Sequence, residues 1–355
     1  MLSPRPPVRS TDFWPAESKQ LPLITMDTSS VGSATENPSV ALTRGTGPTS
    51  PGRRRPLTAI RFRTLAIPYL FLAPGVLLFV AAIVYPALQA FRMSFFDWKI
   101  VSGAVSDFIG LDNYARAFQD GHFWLSLSNS GIYMLATVPP QIIIGLFIAT
   151  LLKRKSPSQP LFRVLFYLPV VTSWVVVSLL FKYLFADQGL VNFTLHDFLH
   201  LMTSDVSWLS TRGTALVAIC ALGIWKGIGW SMMIFLAALQ GVPQSLEEAA
   251  TVDGANSWQR FRAVTLPAIS PAMVFVTVML VIGGFNVFTS VLLLTGGGPI
   301  GSTDVVLSYM YTQAFTYLDF GYGSAIAVIL SVIVFALAIV QLRLFREQAT
   351  GEELA

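Results

Sequence analysis

Residues 121–152 read GHFWLSLSNSGIYMLATVPPQIIIGLFIATLL, and Lys153, Arg154 and Lys155 follow at once. The stretch holds no Asp, Glu, Lys or Arg. It is longer than the roughly 20 mostly apolar residues that a helix needs to cross a bilayer. Ile142-Ile143-Ile144 does not alternate with polar residues, as a barrel strand would. In hydrocarbon every backbone polar group needs a partner within its own segment, so a run of this kind is α-helical.

Further charge-free runs cover residues 64–91, 164–181, 227–246, 263–303 and 320–342. Together they predict six spans, at about 66–91, 126–152, 161–186, 213–241, 268–295 and 321–343. The fold class expected is therefore all-α, a polytopic membrane protein with six transmembrane helices. Composition agrees. Apolar types make up 54% of the 355 residues and charged types 12%, with a mean hydropathy of +0.63. A soluble domain carries about 25% charged residues, so half that share cannot cover a globule of this size. Cys220 is the single cysteine and has no disulfide partner in the chain.

Orientation is read from Lys and Arg near the span ends. With the N-terminus inside, the inner flanks hold thirteen: Arg53, Arg54, Arg55, Arg61, Arg63, Lys153, Arg154, Lys155, Arg163, Arg260, Arg262, Arg343 and Arg346. The outer flanks hold four: Arg92, Lys99, Arg116 and Arg212. Both termini are expected in the cytoplasm, with the chain multi-pass in the plasma membrane. Residues 1–60 are rich in Pro, Ser, Thr, Gly and Arg. They are expected to form a disordered cytoplasmic tail, because they cannot bury enough surface to offset their ordering entropy. Residues 346–355 are expected to form a second, short tail, with the six-span domain between, at 61–345.

Residues 242–267, between the fourth and fifth spans, differ from the other connections. Pro243 and Ser245 open a helix, and Ser245 with Glu248 has the spacing of a capping box. Gly254 offers the left-handed residue that ends a helix. Asn256 or Ser257 then caps a second helix, which puts Trp258, Phe261 and Thr265 on one face. Pro267 closes the loop. A polar loop has no local reason to display Trp258 and Phe261. They are either aromatic anchors at the membrane interface or an elbow that docks in a groove on a soluble partner.

Glu248-Ala249-Ala250, three residues, Gly254, nine residues, Val264, and Leu266-Pro267 resemble the EAA loop of ABC importer permeases, with Val264 where that family prefers Ile. Asp253-Gly254-Ala255 and Thr265-Leu266-Pro267 are similar to its carbohydrate branch, the maltose- and glycerol-phosphate-type permeases. Leu294-Thr295-Gly296-Gly297-Gly298-Pro299 and Phe320-Gly321-Tyr322-Gly323 also match. The resemblance covers residues 66 to 345. It implies that Glu248, Ala249, Ala250, Asp253, Gly254, Trp258, Phe261, Leu266 and Pro267 form the coupling element gripped by an ATPase subunit. It also implies the partners: a second homologous permease, two ATPase subunits and an extracytoplasmic binding protein. The solute is then a sugar or a sugar-like molecule, with phosphate esters or peptides as the alternative class and a non-transporting scaffold as the alternative function. No G-x-x-x-x-G-K-[ST] occurs, and the chain has no Gly-Lys pair. No cofactor is therefore expected here, and ATP with its Mg falls to the partner.

The spans hold no Asp, Glu or His, whereas proton-driven carriers depend on ionisable relays in the membrane. Arg163 and Lys182 lie near span ends, whereas Lys226 sits well inside the fourth span. A buried ammonium needs the bundle interior or water. Its partners are snorkelled solvent, carbonyls exposed by its flanking glycines, a second subunit or substrate. The resemblance implies that its segment lines a central sugar path, with Gly227 and Trp230 at matching positions. Leu280, Gly284 and Val287 stand where the family has polar contacts in the fifth span, so only the neighbouring Asn286 and Thr289 supply polarity there. His196 and His200, four apart, are read as part of a solvated external helix. No metal site and no catalytic residue are expected.

Overall fold

The computed structural model describes residues 57–99, 105–153 and 156–352. The expected tail at 1–60 falls almost wholly outside these residues, as do Arg53, Arg54, Arg55, Arg154 and Lys155. The helical bundle proper begins at Ile67.

Helices follow one another along the chain. Helix α1 (Leu57–Phe79) passes through a π turn into α2 (Tyr85–Met93), and Pro68–Met93 is one continuous apolar span. A short antiparallel ribbon pairs β1 (Phe96–Asp97) with β2 (Asp107–Phe108). Then come α3 (Asp112–Gln119), α4 (Gly121–Lys153), α5 (Gln159–Val171), α6 (Trp174–Leu184), the small α7 (Leu190–Asn192) and α8 (Arg212–Gln240). The loop that follows holds α9 (Gln244–Val252), α10 (Ser257–Arg260) and α11 (Leu266–Ala268). The remaining helices are α12 (Ser270–Phe285), α13 (Thr289–Leu294), α14 (Val306–Tyr311) and α15 (Phe320–Glu352).

Among the described residues, four helices are each long and apolar enough to cross a membrane. Two bent pairs bring the number to six when each is one span. The third span, expected as one helix over 161–186, is bent by 94° between α5 and α6. Pro169 cannot donate to the ladder, and Thr172 and Ser173 turn extended, with ψ 143° and 135°. The fifth, expected over 268–295, is also not one helix. A 69° bend separates Ser257–Ala268 from α12, and the chain breaks again at residues 286–288 before α13. Ser270-Pro271 opens α12 after the bend, at the position where a proline is favoured because its missing N–H would be unpaired anyway. The second span begins at Gly121, five residues earlier than expected.

The core is built where α4 crosses α8 and where α12 to α15 close against them. Phe235, Met232 and Leu239 of α8 are fully buried beside Ala149 and Ile148 of α4. Glycines set the separation of these helices. A Cβ on Gly229 would lie 2.1 Å from the Phe166 carbonyl oxygen of α5, and one on Gly145 2.8 Å from Ser231 Cβ. The span of α1 and α2 is the opposite case. Its apolar side chains, such as Tyr69, Phe71 and Leu77, are exposed along their length, the surface a helix presents to lipid rather than to water.

Candidate functional site

Two places combine unusual chemistry with open space: the loop between α8 and α12, and a cavity in the middle of the bundle.

The loop is a helix, a turn and a helix. Helix α9 starts at Gln244, and its N-terminal residue Pro243 makes no side-chain cap. The expected capping box of Ser245 and Glu248 is therefore not formed. Starting two residues earlier places Ser245 inside the helix, and the Glu248 carboxylate accepts instead from Gln244 Nε2 at 2.7 Å. The exit is a Schellman turn: Ala255 N–H donates to Ala250 O at 3.0 Å and Gly254 N–H to Thr251 O at 3.1 Å. Gly254 has φ +80°, the left-handed conformation that its spacing requires. Asn256 then caps α10 reciprocally with Gln259, at 2.8 and 2.9 Å. Trp258 and Phe261 stack with ring centroids 5.7 Å apart. Thr265, expected on their face, is buried, because residues 261–265 form a π turn that rotates it inward. Trp258 is 67% exposed and Val252 88% exposed. The loop thus displays apolar side chains from a rigidly capped turn.

The cavity, of about 250 Å³, is lined by Tyr133 and Gln141 of α4, Val170 and Trp174 of the bent third span, Lys226, Gly227 and Trp230 of α8, and Leu280 and Gly284 of α12. Lys226 is 4% exposed. Its ammonium donates to the carbonyls of Pro169 at 2.7 Å, Thr172 at 2.6 Å and, more weakly, Val170 at 3.4 Å. It also lies 4.8 Å from the Trp174 ring centroid. The carbonyls come from the end of α5, not from the glycines beside Lys226. A helix C-terminus leaves its last carbonyls without N–H partners, and the cation replaces them. Gly227 has a different use: a Cβ there would stand 1.8 Å from Gln141 Oε1. Its bare backbone lets the glutamine amide lie against α8.

The structure brings Lys226, Gly227 and Trp230 together but separates Asn286 and Thr289 from them. Asn286 ends α12 and faces another groove, with Ile282, Met310 and Ser331. Thr289 starts α13 beyond the break. Leu280 and Gly284 line the cavity, whereas Val287 is packed in the core. Tyr133, Gln141 and Trp174 also line the cavity and were missed in the sequence. Gln141 carried a signal, as a polar residue directly after Pro139-Pro140 in an apolar run; Trp174 acquires its place only from the bend.

A polar knot closes one end of the bundle. Asp120 accepts from Tyr309 and Tyr322 hydroxyls and, at 2.8 Å, from the His122 N–H. Burial opposes its ionisation, but those donors outweigh it and hold the carboxyl below its ordinary value. Burial and the same contact push the Tyr309 phenol up to about 12. His196, read with His200 as one helical pair, accompanies Asp205 at 2.9 Å, while His200 lies past the helix at φ 51°.

Known proteins give these features a family. Residues 141–348 match the binding-protein-dependent transport system inner membrane component family. The sulfoquinovosyl glycerol transport system permease protein SmoG of Agrobacterium fabrum is 34% identical, over 80% of this chain and 91% of that protein. The arabinooligosaccharides transport system permease protein AraP of Halalkalibacterium halodurans is 35% identical, over 81% and 90%. In fold, the chain is similar to a solved bacterial ABC transporter involved in the import of the acidic polysaccharide alginate. That likeness has a TM-score of 0.71 at 21% identity, over 82% of this chain and 98% of that one. With the family pattern running through the loop, the cavity and the last span, and relatives aligned over four fifths of its length, the chain belongs to the inner-membrane permease components of binding-protein-dependent ABC transport systems.

Proposed function

We propose that the chain forms half of the translocation path of an ATP-driven importer for a sugar or sugar-like solute. The carrying observation is the loop at 242–267. It has two capped helices, a left-handed Gly254 and exposed Val252 and Trp258, which suits it to be gripped by a soluble subunit. Glu248, Ala249, Ala250, Asp253, Gly254, Trp258, Phe261, Leu266 and Pro267 serve that contact. The partners are two ATPase subunits, a second permease and an extracytoplasmic binding protein. ATP and its Mg belong to the ATPase subunits, since this chain carries no phosphate-binding loop. Both termini lie in the cytoplasm of a prokaryote, as the thirteen-to-four count of flanking cations favours. The sugar class is supported by the names of SmoG and AraP and by a cavity of the right chemistry. Trp174, Trp230 and Tyr133 offer ring faces, and Gln141 offers an amide.

The test has two steps. The cognate binding protein is screened by calorimetry over disaccharides, oligosaccharides, glycerol phosphates and their diesters. The best ligand is then followed into vesicles holding the whole transporter, with and without ATP. A saccharide or glycoside ligand with ATP-dependent uptake is expected. A ligand of another class overturns the substrate reading, and ATP-independent or absent uptake overturns the transport reading.

A further inference from the structure

Helix α4 stays helical from Gly121 to Lys153, through the Pro139-Pro140 pair, and it touches three working parts of the molecule. Near one end, Asn129 Nδ2 donates to the carbonyls of Ser302 at 2.9 Å and Asp304 at 2.7 Å, and Asn129 Oδ1 accepts from Arg212 at 3.0 Å. In the middle, Gln141 lies against Gly227 in the cavity wall. At the other end, the Lys153 ammonium pairs with the Glu247 carboxylate of α9, the two side chains 29% and 32% exposed. This pair sits in a crevice shared with Gln240, Gln244, Thr251 and Arg260.

Covalently, the 242–267 loop is connected only to α8 and α12. Glu247 adds a third attachment, to a helix the backbone does not reach from that loop. Its neighbour Glu248 lines the same crevice but accepts from Gln244 and not from Lys153, and Arg260 is occupied by Thr251 and Ser257. Lys153 ends α4, where the helix dipole favours a cation. The ion pair resists separation of α9 from the end of α4, and a continuous helix transmits a shift at one end to the other.

We propose that Lys153 and Glu247 are positioning residues, a strut through which movement of the loop is passed to α4 and along it to the cavity wall and the 302–304 segment. The proposal rests on the reading that the loop is gripped by an ATPase. It adds a particular ionic contact, outside the loop's family motif, as the route of transmission.

The experiment uses the complete transporter in vesicles, with Cys220→Ser and a bimane fluorophore on Trp124→Cys at the far end of α4, where Trp124 is 49% exposed. ATP with vanadate traps the ATPase pair, so no solute is needed. The label is expected to change its emission on trapping. Lys153→Glu and Glu247→Lys are each expected to reduce that change to roughly half or less, with the ATPase subunits still co-purifying and the melting temperature within a few degrees of the parent. The exchanged pair, Lys153→Glu with Glu247→Lys, is expected to restore it. Full emission changes in the single variants, or no recovery in the exchanged pair, overturn the strut. Should the single variants fail to fold, Lys153→Gln and Glu247→Gln give the same reading without a repelling charge. A parent transporter whose chains do not hold an ATPase, or whose label ignores trapping, overturns the coupling reading itself and the strut with it.

Discussion

At the residue scale, Lys226 is the most informative side chain. A lysine in a span requires an environment other than lipid, and that much follows from its position between Gly223 and Gly229 in an apolar run. Its partners did not follow. The carbonyls of Pro169 and Thr172 lie more than fifty positions away in the chain, on a span whose bend the hydropathy pattern does not register. The ammonium closes the open end of α5, so its first role is structural. Lys226→Met keeps the length, removes the charge and leaves buried carbonyls unpaired, a loss of about 2 kcal/mol. The purified permease is expected to melt several degrees lower, as followed by tryptophan fluorescence. Lys226→Arg is expected to recover part of the loss. An unchanged melting temperature in Lys226→Met would show that the carbonyl contacts contribute nothing and return the residue to the solute path.

At the element scale, the helix-turn-helix and the polar knot make different predictions. Gly254 has open space around a would-be Cβ, so the cost of a side chain there is conformational and not steric. In the left-handed region it amounts to about 1–2 kcal/mol, more for a β-branched residue. Gly254→Val is expected to leave the spans inserted while redirecting α10 and lowering uptake at least tenfold. Gly254→Ala is expected to fall between it and the parent, and Glu248→Ala to be mild, because its contact is an exposed bond to Gln244. Normal ATPase binding together with parental uptake in Gly254→Val would refute the coupling role. In the knot, Asp120 titrates below its ordinary 3.8. Its ionised form is therefore favoured by folding. That stabilisation is complete above pH 3.8 and is lost as pH falls through the lower, folded value. Asp120→Asn is expected to destabilise the protein by about 1 kcal/mol at pH 7. The gap to the parent narrows below about pH 4, as measured by thermal melts from pH 7 to 3. A gap independent of pH would exclude the charge as the source. The sequence signalled the helix-turn-helix through Pro243, Gly254 and Asn256, all acting within a few residues. The knot was silent, because Asp120, Tyr309 and Tyr322 meet only when α14 and α15 fold back on the start of α4.

At the scale of the whole molecule, reporter fusions near Gln259 are expected to read cytoplasmic, and those near Asp107, Asp205 and Asp304 external. An external signal at Gln259 would overturn both the orientation and the coupling role. The sequence by itself determined the all-α class, the approximate positions of the spans and the two-helix loop. These depend on quantities read along the chain: hydropathy over some twenty residues, charge at the flanks, and local start and stop signals at Pro243, Gly254 and Asn256. Only the tertiary structure decided that the third span bends by 94°, that Lys226 serves the end of α5, that Gln141 and Trp174 face the cavity while Asn286 turns to another groove, and that Lys153 meets Glu247. The physical reason is common to all four. In a uniformly apolar helix, periodicity cannot distinguish the side that faces lipid from the side that faces another helix. Where the small residues let two helices approach fixes which polar groups remain to find each other.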